Sequence, residues 1–379
     1  MRVTAPTDAL RSAVKACQAA VAMKSTQPSL AGVYLSIDDT VLRLRTFDYE
    51  TEVTAAVNSR VDEPGEALVS WRLLSSILAV ATGVTVTLEL DGSRMVVKAG
   101  KATWRMPLLR HEDFPDTTTI PDPLGVVDIA EFRNAVETAA AAAKDTATVD
   151  PALHVVCLEF DAAHPTLAVI GTDGYRLHTA QLQWTALRDP ATPFVLVPAA
   201  KLLVIVKGLT GDQVTLGADG NRVSFSDGQT AITSSLVAAE RGWVKWADYF
   251  ARVGADPKLI YTFDRDELLG AIKQAVPVAE RLDSKARHVV LTVSAGECVV
   301  TAESSEDGDS SIPIPATYDG DPFYVTTNAD YLVAAVTGIE SGNVQFVQDT
   351  PKKPMGLGWP KEPPTHIVMG IVPKSGWVE

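Results

Sequence analysis

The sequence predicts an α+β protein built from one domain pattern written three times. The chain has 379 residues, 46% of them hydrophobic, enough for two or three packed cores. A strand followed by a capped amphipathic helix opens three successive stretches, near Met1, Val126 and Tyr261. A second helix in each stretch begins at Trp71, Pro198 and Asn328, intervals of 127 and 130 residues. That period is too long for a solenoid and fits a whole domain. Boundaries fall in the Pro/Asp-rich stretches 114–125 and 253–258, giving domains 1–122, 123–255 and 256–379.

In order, residues 1–22 place Leu10, Val14, Cys17 and Val21 on one helical face. In the second repeat, Asp128 and Glu131 stand three apart, as in a capping box, ahead of Phe132, Val136 and Ala140. Asp264 and Glu267 repeat the pattern before Leu268, Ile272 and Ala275. Each helix leads to paired strands, at 32–57, 154–182 and 288–314, turning near Asp48, Asp173 and Asp307. The second helices span 71–81, 198–207 and 328–337, with Pro198 near the start of its helix and Gly83, Gly208 and Gly338 as C-terminal stops. A strand and hairpin follow each. Asp91-Gly92, Asp173-Gly174 and Asp219-Gly220 are dipeptides suited to type I′ turns, which need positive φ at both central residues.

The remaining features exclude more than they assign. No apolar run reaches the length of a membrane helix, and residues 1–14 lack the apolar stretch of a signal peptide, so the reading is a cytoplasmic protein. Cys17, Cys157 and Cys298 are isolated and apolar-flanked, as core residues are. There is no phosphate-binding glycine loop, no nucleophile elbow and no metal-ligand spacing, so no cofactor or metal is expected. The acidic loop 303–309 lacks the ligand spacing of an EF-hand. Asp48 and Asp173 invite a hydrolase reading, but turn chemistry accounts for both. A net charge of −14 argues against a DNA binder held by bulk basicity. The six predicted helices nevertheless hold nine basic and six acidic residues, a balance of +3 that leaves −17 elsewhere.

The string at 171–178, GTDGYRLH, resembles the middle-domain hairpin of bacterial β sliding clamps. So do EPG at 63–65, RMVVKAG at 94–100, EDFP at 112–115, the Asn328/Tyr331 pair and HIVM at 366–369. The resemblance covers nearly the whole chain in the family's order. It implies the DNA clamp fold, with helices lining a ring and antiparallel sheets outside. It also implies a non-enzymatic processivity factor that encircles double-stranded DNA without reading sequence. Residues matching the family's DNA-facing positions are Arg72 and Lys201, with Lys24 in the MKSTQP loop and Arg11 and Lys15 on the first helix as further candidates. The family closes its ring as a head-to-tail homodimer, which implies an interface at Trp104 and Met106 on one side and Val276 and Val278 on the other.

The family also takes short linear peptides from the replicative polymerase and clamp loader in a groove between its second and third domains. By position, that groove maps to Leu153, Thr172, Gly174, Tyr175, Arg176 and Leu177, then Ala247 in WADY, then Asn328, Tyr331, Ile367, Met369 and Gly370. The chain departs from the family here. Ala247 and Gly370 replace prolines, Val372 replaces an arginine, and KSGWVE (374–379) is added. These departures motivate an alternative: a specialised clamp paralogue that resists a peptide inhibitor aimed at the ordinary groove.

Overall fold

The three repeats fold by one set of local rules. The computed structural model describes residues 1–143, 151–161, 164–238, 243–279, 287–304, 308–340 and 342–371. Lys144, Asp307, the centre of the acidic loop and the added 374–379 lie outside the described residues. Seven α-helices occur among the described residues: α1 (Thr7–Ala16), α2 (Trp71–Val80), α3 (Ile129–Ala140), α4 (Ala199–Gly208), α5 (Trp246–Gly254), α6 (Arg265–Ala279) and α7 (Ala329–Thr337). Six match the predicted helices. The seventh, α5, stands where a linker and a peptide-groove segment were expected.

In every repeat the opening strand pairs antiparallel with the strand after the second helix. Arg2–Pro6 pairs with Thr85–Asp91, Pro123–Asp128 with Gln213–Ala218, and Leu259–Asp264 with Asn343–Gln348. The first helix then starts against that partner strand: the N–H of Thr7, Ile129 and Arg265 donates to the carbonyl of Val84, Asp212 and Gly342. Asp128 and Asp264 cap their helices as expected, each Oδ1 accepting two N–H groups, from Ala130 and Glu131 or from Asp266 and Glu267. The predicted apolar faces are buried, with Leu10, Phe132, Val136, Leu268 and Ile272 each at most 1% exposed, except that α1 ends at Ala16 and Val21, beyond it, is half-buried.

By contact density the chain divides into two compact units, one of residues 1–136, 157–168 and 181–238, the other of 137–156, 169–180 and 239–379. The first unit holds a fourteen-stranded antiparallel sheet. Its first-repeat and second-repeat strands are continuous because Thr230–Ser235 pairs with Thr51–Asn58, in the register Ile232↔Val53. The second unit holds a four-stranded antiparallel sheet, in the order Gly308–Pro315, Glu297–Ser304, His288–Ser294, Phe323–Asn328, against which α6 packs. Its core is aromatic: Tyr261 stacks on Phe346 at 5.1 Å and donates its hydroxyl to Gln348. Cys17, Cys157 and Cys298 are buried thiols, and burial pushes Cys17 and Cys298 up to about 12.

The turns correct the expected chemistry. At Asp173-Gly174 only the glycine has positive φ, +87°, so the turn is not type I′. Instead the Asp173 carboxylate accepts the N–H groups of Tyr175 and Arg176, closing a three-residue loop between Thr166–Thr172 and Arg176–Gln183. Asp48 does the same with Glu50 and Thr51, and Asp219 with Asn221 and Arg222. The other hairpin turns one residue later than expected, on Gly92-Ser93, with Asp91 paired to Arg94.

Of the glycine stops, Gly338 holds and the other two are corrected. Gly338 caps α7 with φ −67°, Gly208 is the last residue of α4, and Gly83 lies beyond the Ala81 cap. The C-terminal carbonyls are instead met by an arginine from the first helix of the same repeat. Arg11 donates to Leu78 and Ala81, Arg133 to Val206 and Leu209, and Arg265 to Thr337 and Ile339. Pro198 serves as the N-cap of α4, outside the helix.

Candidate functional site

The loop at Asp173 builds a rigid display. Thr172 Oγ1 donates to the Arg176 carbonyl at 2.7 Å and accepts the Gly174 N–H, while Asp173 Oδ2 takes the Arg176 Nε at 3.2 Å. Asp173 is 4% exposed, so the pair is sheltered from water. With its guanidinium held, Arg176 lies 4.4 Å from the ring centroid of Tyr331. Tyr175 stacks near the same ring at 6.5 Å and 25°, yet stays 58% exposed. Burial and the nearby Asp173 raise the Tyr331 phenol above its ordinary value.

The chain's last described strand completes the site. Arg176, Leu177 and His178 pair antiparallel with Val368, Ile367 and His366. The Met369 N–H donates to the Tyr175 carbonyl at 2.9 Å, which brings that 40%-exposed thioether beside the exposed tyrosine. The Ile371 N–H is tied to the Thr326 carbonyl. The result is an apolar, polarizable surface of Tyr175, Tyr331 and Met369 over a fixed cation, suited to an aliphatic or aromatic side chain.

Other groove residues have different surroundings. Leu177 and Ile367, cross-strand partners, are 6% and 5% exposed and form the floor. Asn328 is the N-cap of α7, its Oδ1 accepting from Asp330 and Tyr331, so its amide oxygen acts in folding and orients Tyr331. Leu153 is half-buried in the turn Pro151–Leu153, and Gly370 is half-buried beside the Pro351 and Lys353 carbonyls. Ala247 is exposed on α5, which packs on Asn343–Gln348 and Met355–Gly358.

The remaining candidates sort by availability. Lys15, Lys24 and Arg72 are exposed. Lys201 is not a free cation, since its Nζ bonds Asp48 at 2.7 Å and the Ala19 carbonyl at 3.1 Å. Arg11 is likewise committed to α2 and to Asp8. Met106 is fully buried within the single chain, which removes its side chain from an interface; its strand alternates, so Trp104, packed partly inward, keeps some surface. Val276 and Val278 are half-buried, Val276 against the third-repeat core. For the hydrolase reading, Asp48 and Asp173 each spend both oxygens on turn amides and a cation. Among the described residues no three His, Cys, Asp or Glu side chains group as a metal site, and no helix is long and apolar enough to cross a membrane.

Comparison with known proteins decides the family. Models of the DNA polymerase III beta subunit match in chain order: the N-terminal domain at residues 1–119, the central domain at 126–241 and the C-terminal domain at 254–370. The chain belongs to the DNA polymerase III beta subunit family, the beta sliding clamps. The beta sliding clamp of Streptomyces coelicolor is 28% identical over 93% of both chains. That of Micrococcus luteus is 28% identical over 84% of this chain and all of its own. A beta sliding clamp homolog from Streptomyces muensis, GriR, is 26% identical over 86% of this chain and 85% of its own. A Pseudomonas aeruginosa sliding clamp bound to griselimycin has the same fold, with a TM-score of 0.87 at 22% identity over 98% of this chain and all of that one. The Thermotoga maritima beta subunit gives 0.86 at 21% over the same shares. The three repeats are thus clamp domains, and α5 lies between the second and third matches. The sliding clamp family, to which the chain belongs, is one of non-catalytic processivity factors.

Proposed function

We propose that the chain works as a head-to-tail homodimer that encircles duplex DNA and presents the Tyr175–Tyr331–Met369 surface to short linear peptides of the replicative polymerase and the clamp loader. The observation that carries the peptide reading is the fixed display itself. Tyr175 and Met369 are exposed yet held by the Met369-to-Tyr175 backbone bond, so ordering them costs a ligand little. Two open sheet edges support the dimer. Among the described residues, no strand pairs with the outer side of residues 102–107 or of Gly308–Pro315. These edges are unlike, as a heterologous interface requires. Lys15, Lys24 and Arg72 are exposed cations that fit a DNA-facing role, and such a ring would work in the cytoplasm. Domain limits of 1–122, 123–255 and 256–379 belong to this proposal.

Protein loaded on a closed DNA circle should remain bound and run off when the circle is cut. Equal loss from both forms would refute encirclement. Calorimetry with a peptide carrying one leucine and one phenylalanine anchor tests the groove. Leu177→Ala or Met369→Ala should weaken binding by roughly 1–3 kcal/mol and leave the dimer intact.

A second reading is favoured by the likeness to GriR and by Ala247 and Gly370: a paralogue whose groove resists an inhibitor peptide. Titrating griselimycin against the wild type and the Ala247→Pro/Gly370→Pro double variant separates the two. Tighter binding by the variant supports resistance, and equal binding removes it.

A further inference from the structure

We propose that the buried His178–His366 couple is a proton-sensitive latch that holds the Leu177/Ile367 floor together and links this chain's affinity for partner peptides to pH. The proposal rests on the peptide reading above. Three register pairs join the hairpin strand to the last described strand; His178↔His366 stands at one end, followed by the bond from the Thr179 N–H to the Thr365 carbonyl. Strand alternation sends Leu177 and Ile367 to one face and the two imidazoles to the other. The rings lie 4.6 Å apart at 62°, and the residues are 0% and 1% exposed.

Each imidazole has one ring nitrogen engaged. His178 Nδ1 lies 3.1 Å from the Thr138 carbonyl of α3, which makes it the donor, and His366 Nδ1 lies 2.8 Å from Thr365 Oγ1. Both Nε2 atoms are buried without a hydrogen-bond partner. α7 closes against the second of them, since a β-carbon at Gly338 would lie 2.5 Å from His366 Nε2. Protonation would therefore add an N–H with no acceptor at a site with little room for water.

The charged surroundings act in the same sense. At His178 two groups oppose a positive charge: His366, and Arg176, two residues earlier and paired with Asp173. From α3 comes the Thr138 carbonyl; from α7, Gly338, with Arg265 bonded to the carbonyls on either side of it. Leu357, paired with His366, is apolar. Burial holds His366 down to about 4, and burial followed by His366 holds His178 well below the usual imidazole value. Both native values are depressed, so the opened junction binds more protons between about 6.5, the ordinary value, and about 4. The latch is fully closed above that window and weakens as pH falls through it. Opening would part Leu177 from Ile367 and free Met369 from Tyr175.

The test uses the full chain. Affinity for a peptide with leucine and phenylalanine anchors is measured by calorimetry at pH 7.5 and 5.0. The comparison is a His178→Asn/His366→Asn double variant, whose amides can replace both Nδ1 contacts without titrating. Wild type should lose about tenfold or more in affinity, and the double variant less than about twofold. Equal loss in both would overturn the latch. If no peptide binds at pH 7.5, the peptide reading fails on its own, and exchange protection of the Leu177 and Met369 amides still tests the latch. Protection should drop below pH 6 in wild type and hold in the variant. If the variant does not fold, wild-type imidazole shifts followed by NMR decide: titration near 6.5 with the junction intact would overturn the proposal.

Discussion

At Gly171 a β-carbon would lie 1.9 Å from the Ala139 carbonyl oxygen, so α3 sits on this strand only because glycine is there. Gly171→Ala should force a backbone shift and cost about 1–3 kcal/mol, read as a lower urea midpoint. Gly174 differs: nothing lies within 4 Å of its missing side chain, but its φ of +87° penalises any other residue. Gly174→Ala should cost about 1 kcal/mol and disturb Tyr175 rather than α3. The neighbouring TDGYRL string was legible as a hairpin, but for the wrong reason. A dipeptide statistic suggested paired positive φ values, whereas the side chain of Asp173 itself takes over the work of the turn, accepting the Tyr175 and Arg176 N–H groups. Asn328 stood out in the sequence only through the family resemblance; its amide oxygen caps α7 and thereby aims Tyr331.

Among the elements, the arginines that close α2, α4 and α7 were the least legible feature. Each reaches carbonyls 67 to 76 residues away in sequence, beyond any local pattern. Amphipathic faces and N-caps were readable because their partners lie within one turn. Arg133→Ala should expose the Val206 and Leu209 carbonyls and cost about 1–3 kcal/mol by chemical denaturation. Arg133→Lys should recover little of it, because one ammonium cannot reproduce the two-pronged guanidinium contact. Helix α5 escaped notice because 246–254 follows no strand in the repeat and reads as a linker.

For the whole molecule, the threefold repeat was visible in the spacing of the second helices, and the family matches follow it domain by domain. The continuous first-unit sheet was not, since pairing between Thr51–Asn58 and Thr230–Ser235 joins strands of different repeats with no sequence mark. The proposed dimer predicts light scattering near twice the 40.4 kDa chain mass at micromolar concentration. Trp104→Glu should shift the protein toward monomer, because the new charge would be buried against the partner. A wild-type monomer at that concentration would remove the ring.

The arginine caps bear on how such a ring would feel its DNA. Arg11, Arg133 and Arg265 are bonded to helix carbonyls and Lys201 to Asp48, so four of the nine helix cations already serve the fold. Each phosphate that a protein neutralises releases condensed counterions and steepens the fall of log K with log salt by roughly 0.9. A lining with so many cations turned inward should release few ions per protomer. Its hold on a short linear duplex should be feeble at any ionic strength, while a loaded ring, kept by its closed topology, should tolerate salt that strips ordinary DNA-binding proteins away.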